Sequence, residues 1–325
     1  MVETNSSLLV HIGYHKTATS WLQEYLFGNE KVGFSAFTFP NLNRSTKPKV
    51  LLKSASEALW GDKDRQELGP FSIDQDRLSI LSGSANTVAV VSNERLSGSP
   101  HTGGYDSDTN CKKIRTAWPH AKIFIVVREQ KTLIQSCYYQ YLKEGGTRSL
   151  AAYISQSRQR AYPAFSLNYF NFIPLIDRYI GEFGRSSVLV LPWELFRYQP
   201  ESFISRLLEF AELPVNIQDL PFSESVNVKR NPWLMKRLRF LNLAHQMFRI
   251  EKSPFLGESF AYRTSSIALL KNAGSPLRVS TEKEAELSQI TKSVGDRYKE
   301  GNTRLQKEIL PEYDLRSFGY DLGKI

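Results

Sequence analysis

A lysine and several hydroxyl side chains occupy a short turn near the amino terminus, where residue types and spacing suit anion binding. The apolar residues 8–12 before the turn predict a buried strand, and a helix is predicted to begin at Trp21. Between them the turn carries Lys16. Its hydroxyl groups come from Thr17, Thr19 and Ser20. Free N–H groups converge where a strand leads into a helix N-terminus, and the helix dipole favours an anion there. The turn therefore predicts a phosphate-binding site.

The spacing of this turn differs from that of the common nucleoside triphosphate loop. That loop reads G-x-x-x-x-G-K-[ST], and its glycines let the main chain wrap the β- and γ-phosphates. Here His15 directly precedes Lys16, and Gly13 alone supplies backbone freedom. A turn this short should enclose one group the size of a 5′-phosphate. The alternative is an ordinary strand-to-helix turn in which lysine and hydroxyl groups are incidental.

A second segment has the composition of a terminal phosphate site. The apolar residues 122–127 predict a strand that ends at Arg128, and Ser136 follows in the next predicted helix. Arginine suits a terminal phosphate because its planar fork gives two charge-assisted hydrogen bonds. Taken alone, an arginine after an apolar strand is more often a solvated strand terminus. The order and separation of the two motifs together make the phosphate interpretation strong.

The two motifs resemble those of sulfotransferases that use 3′-phosphoadenosine-5′-phosphosulfate (PAPS). Residues 16–22 match the family's 5′-phosphosulfate loop in register, whereas His15 stands where many members carry proline. The resemblance implies that Arg128 and Ser136 hold the 3′-phosphate of the donor. It also implies a basic loop near that phosphate, formed here by Lys229 and Arg230. The implied donor-loop residues are His15, Lys16, Thr17, Ala18, Thr19, Ser20 and Trp21.

The distribution of apolar runs predicts an α/β fold. Four short runs, at 8–12, 87–92, 122–127 and 187–191, look like strands buried on both faces of a parallel sheet. Helical segments are predicted between them, including 51–60, 110–118, 132–142 and 169–183. Residues 34–39 are a further candidate strand. The family resemblance implies a P-loop-like three-layer fold with a central, mainly parallel sheet flanked by helices. We expect one domain, 1–325, in which a donor-binding core (1–215) carries a mostly helical C-terminal cap (216–325).

Polar residues follow the predicted strands at the points where a ligand crevice should form. The carboxyl ends of parallel strands line such a crevice, so Lys16, Glu94 and Arg128 should gather around one site. Transfer of a sulfuryl group needs a cation at the bridging oxygen of the leaving phosphate and a base at the acceptor. We assign Lys16 to the first role and Glu94 to the second, and expect no metal requirement.

The base assignment has alternatives. Carbohydrate sulfotransferases often use a glutamate base, and the Ser92-x-Glu94 position resembles bacterial members that act on sugars. Glu94 could instead form an ion pair with Arg95 or Arg128 and support its loop. His101, in a glycine-containing segment that resembles an acceptor gate, is the second candidate base. Glu194 is interpreted as a helix-start or loop-bracing residue.

Composition limits the partners. The net charge of +9 over 325 residues suits an anionic donor or an acidic acceptor. No zinc-ligand pair or dense basic block favours nucleic acid, so no nucleic-acid partner is expected.

The acceptor that the resemblance favours is a carbohydrate or glycolipid hydroxyl, with a small phenol or lipid alcohol second. The expected product of the donor is adenosine 3′,5′-bisphosphate (PAP). A small-molecule kinase and a non-catalytic nucleotide-binding module are the alternative functions.

The cysteine count and the apolar runs bear on the cellular location. Two cysteines form no disulfide framework, and we find neither a signal peptide nor an apolar run of membrane-spanning length, so a cytoplasmic location is expected.

The basic segment 229–249 could contact an acidic acceptor or a membrane surface. Its helical part, 233–249, could instead be a solvated face over a core of apolar residues. Those residues are Leu234, Leu238, Leu241 and Phe248. The C-terminal tail is expected to be structural.

Overall fold

A five-stranded parallel sheet forms the centre of the protein. The computed structural model describes residues 8–38, 87–155, 165–215, 217–218, 220–224, 232–248 and 276–323. Within these residues the strands are β1 (Leu8–His11), β2 (Phe34–Thr38), β3 (Val88–Ser92), β4 (Lys122–Val127) and β5 (Val188–Pro192). Their order across the sheet is β2-β3-β1-β4-β5, and every neighbouring pair is parallel. The α/β fold with a parallel sheet is therefore confirmed.

Burial on both faces explains the continuous apolar runs of the strands. Leu9 packs on one side of the sheet in a core that includes Phe203, whereas Val10 packs on the other side with Ile134. Leu9 and Val10 are both fully buried. Because successive side chains of a strand point to opposite faces, such a strand needs a helical layer on each side. The sheet and its two helical layers give the three-layer architecture.

Helices connect the strands and cover the sheet. The helical segment after β1 comprises α1 (Thr19–Trp21) and the π-helical continuation Leu22–Leu26. The other helices of the core are α2 (Ser107–Ala117), α3 (Gln130–Lys143), α4 (Leu150–Ile154), α5 (Ile173–Phe183), α6 (Trp193–Tyr198) and α7 (Pro200–Phe210). The C-terminal helices are α8 (Pro232–Phe248), α9 (Pro276–Val294) and α10 (Lys299–Arg304), which continues as the π-helical turn Leu305–Ile309.

Several predicted boundaries shift. The first helix begins at Thr19, two residues before the predicted Trp21. The predicted helical segment 169–183 is divided into the 3-10 helix Leu167–Phe170 and α5, whose first turn contains a proline. Proline favours the first turn of a helix because its missing N–H is not needed there. The helix predicted over 51–60 lies outside the described residues.

The C-terminal helices pack on the α/β core. Leu238 of α8 and Ile290 of α9 are buried in the same apolar cluster as Val10 of the central strand. The division into a core and a cap of one domain stays a prediction. The expectation that Leu241 is in the core is wrong, because 42% of it is exposed, next to the exposed Phe240. No helix in the described part of the chain is long and apolar enough to span a membrane.

Candidate functional site

The turn after β1 has a backbone conformation suited to anions. Lys16 and Ala18 both adopt positive φ angles, 67° and 66°, although neither is glycine. Left-handed backbone at non-glycine residues costs on the order of 1–3 kcal/mol and is concentrated at functional sites. Alternation of left- and right-handed residues forms a concave nest of N–H groups that binds anions. The predicted phosphate turn therefore has the appropriate main-chain shape.

Hydrogen bonds hold this turn against the sheet. The Tyr14 amide donates to the carbonyl of Val126 in β4 at 3.2 Å, and the Thr17 hydroxyl donates to the Tyr14 carbonyl. Thr17 thus uses its hydroxyl hydrogen within the turn. Thr19 differs, because its Oγ1 is buried without a hydrogen-bond partner among the described residues. A buried hydroxyl without a partner is costly unless a ligand satisfies it, and a phosphate oxygen would do so.

Arg128 lies against this turn. Its Nη1 donates to the main-chain carbonyl of Lys16 at 2.9 Å, and its Nε is 3.4 Å from the Thr132 hydroxyl. The guanidinium also stacks on Trp193, with its central carbon 4.1 Å from the ring centroid. Five N–H donors are available on a guanidinium, more than these two bonds use. Burial lowers the pKa of Arg128, so a phosphate beside it would restore lost solvation.

The N-terminus of α3 is capped from within the chain. The carboxylate of Glu129 accepts hydrogen bonds from the main-chain N–H groups of Lys131 and Thr132, both at 2.9 Å. A ligand phosphate near Arg128 would therefore bind side chains rather than these amides. Ser136 lies in the second turn of α3 and is half-buried, with seven residues between it and Arg128 in the chain.

Glu194 braces the junction between β4 and α3, as the sequence interpretation proposed. Its Oε1 accepts from the main-chain N–H of Glu129 at 2.9 Å, and its Oε2 accepts from the Tyr320 hydroxyl at 3.2 Å. The side chain is buried. Burial raises the pKa of Glu194 to about 7, against these hydrogen bonds and the nearby charge of Arg128. A carboxyl group that titrates near neutrality thus lies directly behind Arg128.

Glu94 occupies the predicted strand-end position. It begins the 3-10 helix Glu94–Ser97, two residues after β3 ends, and Asn93 caps this turn by accepting from the Arg95 amide at 2.9 Å. Glu94 itself is half-buried. Arg95, one of its suggested ion-pair partners, lies 3.8 Å from Asp106. Because β1 and β3 are neighbouring parallel strands, Glu94 and Lys16 follow the same edge of the sheet.

His15 and His101 bring two imidazoles to the same region. Burial lowers the pKa of His15 to about 3, helped by the nearby charges of His101, Lys16 and Arg95. Burial also lowers the pKa of His101, although Glu144 opposes the shift from 3.8 Å. Neither Nε2 has a hydrogen-bond partner within the described ranges. His15 therefore brings a buried side chain to the turn in addition to its main chain.

The segment that follows Glu94 is packed more tightly than an open gate. The Tyr169 hydroxyl donates to the Gly98 carbonyl at 3.0 Å and lies 3.0 Å from the Ser97 hydroxyl. A Cβ at Gly104 would lie 2.4 Å from Cδ2 of Tyr169. The Gly104 amide donates to the Ser99 carbonyl at 2.9 Å, which closes the loop on itself. In this conformation Gly98 and Gly104 therefore allow close packing, Gly98 against Gly104 and Gly104 against the Tyr169 ring.

His11 belongs to the core beneath the turn. It is fully buried, with Nδ1 2.8 Å from the Ser92 hydroxyl and its ring between Phe27 and Phe124. A Cβ at Gly13 would lie 2.6 Å from His11 Nε2, so a side chain here would have to displace the buried imidazole. Burial lowers the pKa of His11 to about 3. The neutral imidazole is thus a packing residue.

Other predicted site residues have different surroundings. The indole of Trp21 is buried in the core, 5.0 Å from the Phe196 ring and stacked on Phe222 at 5.8 Å. Ser20 is half-buried in the first turn of α1. Lys229 and Arg230 lie outside the described residues. No sequence signal indicated a donor-site role for Trp193, Tyr153 or Tyr320, because aromatic residues in helices and loops are usually core residues.

Two solved structures are similar to this chain at low sequence identity. A sulfotransferase from Alicyclobacillus acidocaldarius has a TM-score of 0.46 and 17% identity, over 75% of this chain and 96% of its own. The mouse sulfotransferase SULT7A1 complexed with PAP has a TM-score of 0.37 and 12% identity, over 95% of this chain and 90% of its own. Both solved structures are sulfotransferases. No protein-family model and no curated protein match the chain.

Proposed function

We propose that the protein is a PAPS-dependent sulfotransferase whose donor lies between the turn of Lys16 and the guanidinium of Arg128. One observation carries this proposal: Arg128, at the end of β4, is hydrogen-bonded at 2.9 Å to the main chain of Lys16, in the turn after β1. Two motifs that are 112 residues apart in the chain are therefore within reach of one small bisphosphate.

The surroundings of each motif fit the two ends of that donor. The positive φ angles of Lys16 and Ala18 and the unpartnered hydroxyl of Thr19 suit the 5′-phosphosulfate. The guanidinium of Arg128, with Ser136 further along α3, suits the 3′-phosphate. We assign contacts with the donor to the remaining residues of the turn as well, His15, Thr17, Ser20 and Trp21, and to the basic loop of Lys229 and Arg230.

In this proposal Lys16 stabilises the leaving group and Glu94 removes the acceptor proton. The acceptor oxygen attacks sulfur in line as the bond from sulfur to the bridging phosphate oxygen breaks. Lys16 neutralises the charge that develops on that oxygen. Glu94 takes the proton that the acceptor hydroxyl loses, so the charges balance. No step in this scheme uses a metal ion.

His101 is the second candidate base, and the structure gives it a definite environment. Its Nδ1 lies 3.1 Å from the Tyr153 hydroxyl, and the charge of Lys16 contributes to lowering its pKa. Glu94 keeps the primary assignment because it lies two residues beyond the end of β3, the strand beside β1, at a position that resembles that of sugar-acting enzymes. The same resemblance supports a carbohydrate or glycolipid hydroxyl as the acceptor.

Transfer of radiolabelled sulfuryl from PAPS to a panel of sugars, glycolipids, phenols and lipid alcohols tests the function directly. We expect label on a sugar hydroxyl with the wild-type protein and none with Lys16→Ala. Labelling of a phenol alone would replace the acceptor class. Phosphate transfer from ATP with Mg²⁺, and no sulfuryl transfer, would identify the kinase alternative. Binding of PAP without transfer to any acceptor would favour the non-catalytic module.

A further inference from the structure

The C-terminal tail, residues 314–323, lies directly behind the donor site. Its Tyr320 is buried, and the hydroxyl donates to Glu194 Oε2 at 3.2 Å across 126 residues of sequence. Tail residue Asp321 pairs with Lys131 of α3 at 2.9 Å, and its carbonyl accepts from the Asn302 side chain at 3.0 Å. The tail is therefore joined both to α3 and to α10.

Glu194 transmits this attachment to Arg128. Its Oε1 accepts from the main-chain N–H of Glu129, which belongs to the peptide that joins Arg128 to α3. The preceding residue, Trp193, stacks on the guanidinium of Arg128 at 4.1 Å. Two consecutive residues at the start of α6 thus fix both the peptide and the side chain of Arg128. The tail holds one of them through the Tyr320 hydroxyl.

We propose that Tyr320 and Glu194 are positioning residues of the donor site, which hold Arg128 in the orientation that binds the 3′-phosphate. This inference rests on the proposed function. It gives the tail a role in donor binding, in addition to the structural role expected from sequence. The charged and titratable groups that face Glu194 are Arg128 and Glu129 from the β4–α3 junction and Tyr320 from the tail. The Glu129 carboxylate is itself engaged by the α3 amides and by Lys131.

The chain supplies a matched control for a tyrosine substitution. Tyr298 is also buried, and its hydroxyl donates to the Leu167 carbonyl at 2.7 Å, a bond that does not involve Glu194 or Arg128. Tyr320→Phe and Tyr298→Phe each remove one buried hydroxyl with one hydrogen bond. Both should reduce stability comparably, but only Tyr320→Phe should affect the donor.

The test measures PAP affinity by calorimetry and donor KM and kcat in the transfer assay. For Tyr320→Phe we expect PAP affinity to fall about three- to tenfold and donor KM to rise equally, with kcat at saturating donor unchanged. Tyr298→Phe should bind PAP as the wild type does. Equal loss of affinity in both variants, or wild-type affinity in Tyr320→Phe, would overturn the inference.

A pH profile of PAP affinity separates positioning from general structural loss. Ionised Glu194 would oppose a nearby phosphate, so wild-type affinity should fall as the pH rises through about 7. Tyr320→Phe should move this midpoint upward, because the Tyr320 hydrogen bond lowers the pKa of Glu194. Glu194→Gln, which retains a carbonyl acceptor for Glu129, should abolish the midpoint even if the tyrosine variant fails to fold. An unchanged midpoint in Glu194→Gln overturns the inference, whereas a wild-type protein that binds no PAP overturns the proposed function itself.

Discussion

Arg128 donates a 2.9 Å hydrogen bond to the main-chain carbonyl of Lys16, and through it the β1 turn and the end of β4 form one cationic site. The parallel sheet explains this contact, since β1 and β4 are neighbours and both end at the same edge. In the proposed donor complex, Arg128 would couple the two ends of the site, because it holds the main chain of the Lys16 turn while its remaining donors bind the 3′-phosphate.

Replacement of Arg128 by lysine should weaken PAP binding by about ten- to a hundredfold. Lysine keeps the charge but loses the planar fork that binds a phosphate and the Lys16 carbonyl together, and charge-assisted bonds contribute about 1.5–3 kcal/mol each. Calorimetry with PAP measures the change. Arg197→Lys is the control, because Arg197 also lies over the Trp193 ring, at 5.7 Å, but is exposed. Equal losses in the two variants would contradict the assignment of the 3′-phosphate to Arg128.

Replacement of Glu94 by glutamine should reduce kcat by about a hundredfold or more and change PAP affinity less than twofold. General bases contribute about 10²–10⁴ to the rate, and an amide cannot accept the acceptor proton. Steady-state kinetics on a confirmed acceptor measure both quantities. His101→Asn is the comparison. If it loses the larger part of kcat while Glu94→Gln retains wild-type turnover, the base is His101.

Buried histidines should make the protein sensitive to acid. The pKa of His11 is about 3 in the folded state and near 6.5 when unfolded, so the unfolded state binds more protons between these values. Stability is then fully present above pH 6.5 and is lost as the pH falls, by up to about 4–5 kcal/mol from His11. Urea unfolding of His11→Asn across this range should show a shallower decline. The exposed His120 provides the control substitution, and an unchanged slope in His11→Asn would refute this explanation.

Gly104→Ala should lower the free energy of unfolding by about 1–3 kcal/mol. Gly104 has a φ of +66°, and a Cβ there would lie 2.4 Å from the Tyr169 ring, so both strain and overlap oppose alanine. Gly181→Ala is the matched control, since nothing lies within 4 Å of a Cβ at this exposed position in α5. Alanine there should stabilise the helix by about 0.5–1 kcal/mol. Chemical denaturation should therefore give opposite signs for the two substitutions.

Local sequence patterns were enough to predict the sheet and the turn that carries Lys16. Strands buried on both faces need continuous apolar residues, so β4 could be predicted with its observed ends, and β3 to within one residue. The site around the turn was predictable because parallel strands bring their carboxyl ends to one edge. Helix starts were less accurate, as at Thr19, because capping there relies on the left-handed Ala18 rather than on a recognisable side-chain cap.

Long-range contacts explain what the sequence could not predict. The hydroxyl of Tyr320 meets Glu194, and the Trp193 ring meets Arg128, only because the tail and α6 pack at the end of the sheet. Neither aromatic residue stands in a motif that indicates such a role. The exposure of Leu241, predicted to be buried, likewise depends on which face of α8 meets its neighbours.

Calorimetric titration of the wild-type protein with PAP in the absence of divalent metal tests the central claim most directly. We predict one PAP per chain, micromolar or tighter affinity, and a loss of at least tenfold in both Lys16→Ala and Arg128→Lys. Absence of PAP binding, or tighter binding of ATP that requires Mg²⁺, would contradict the account.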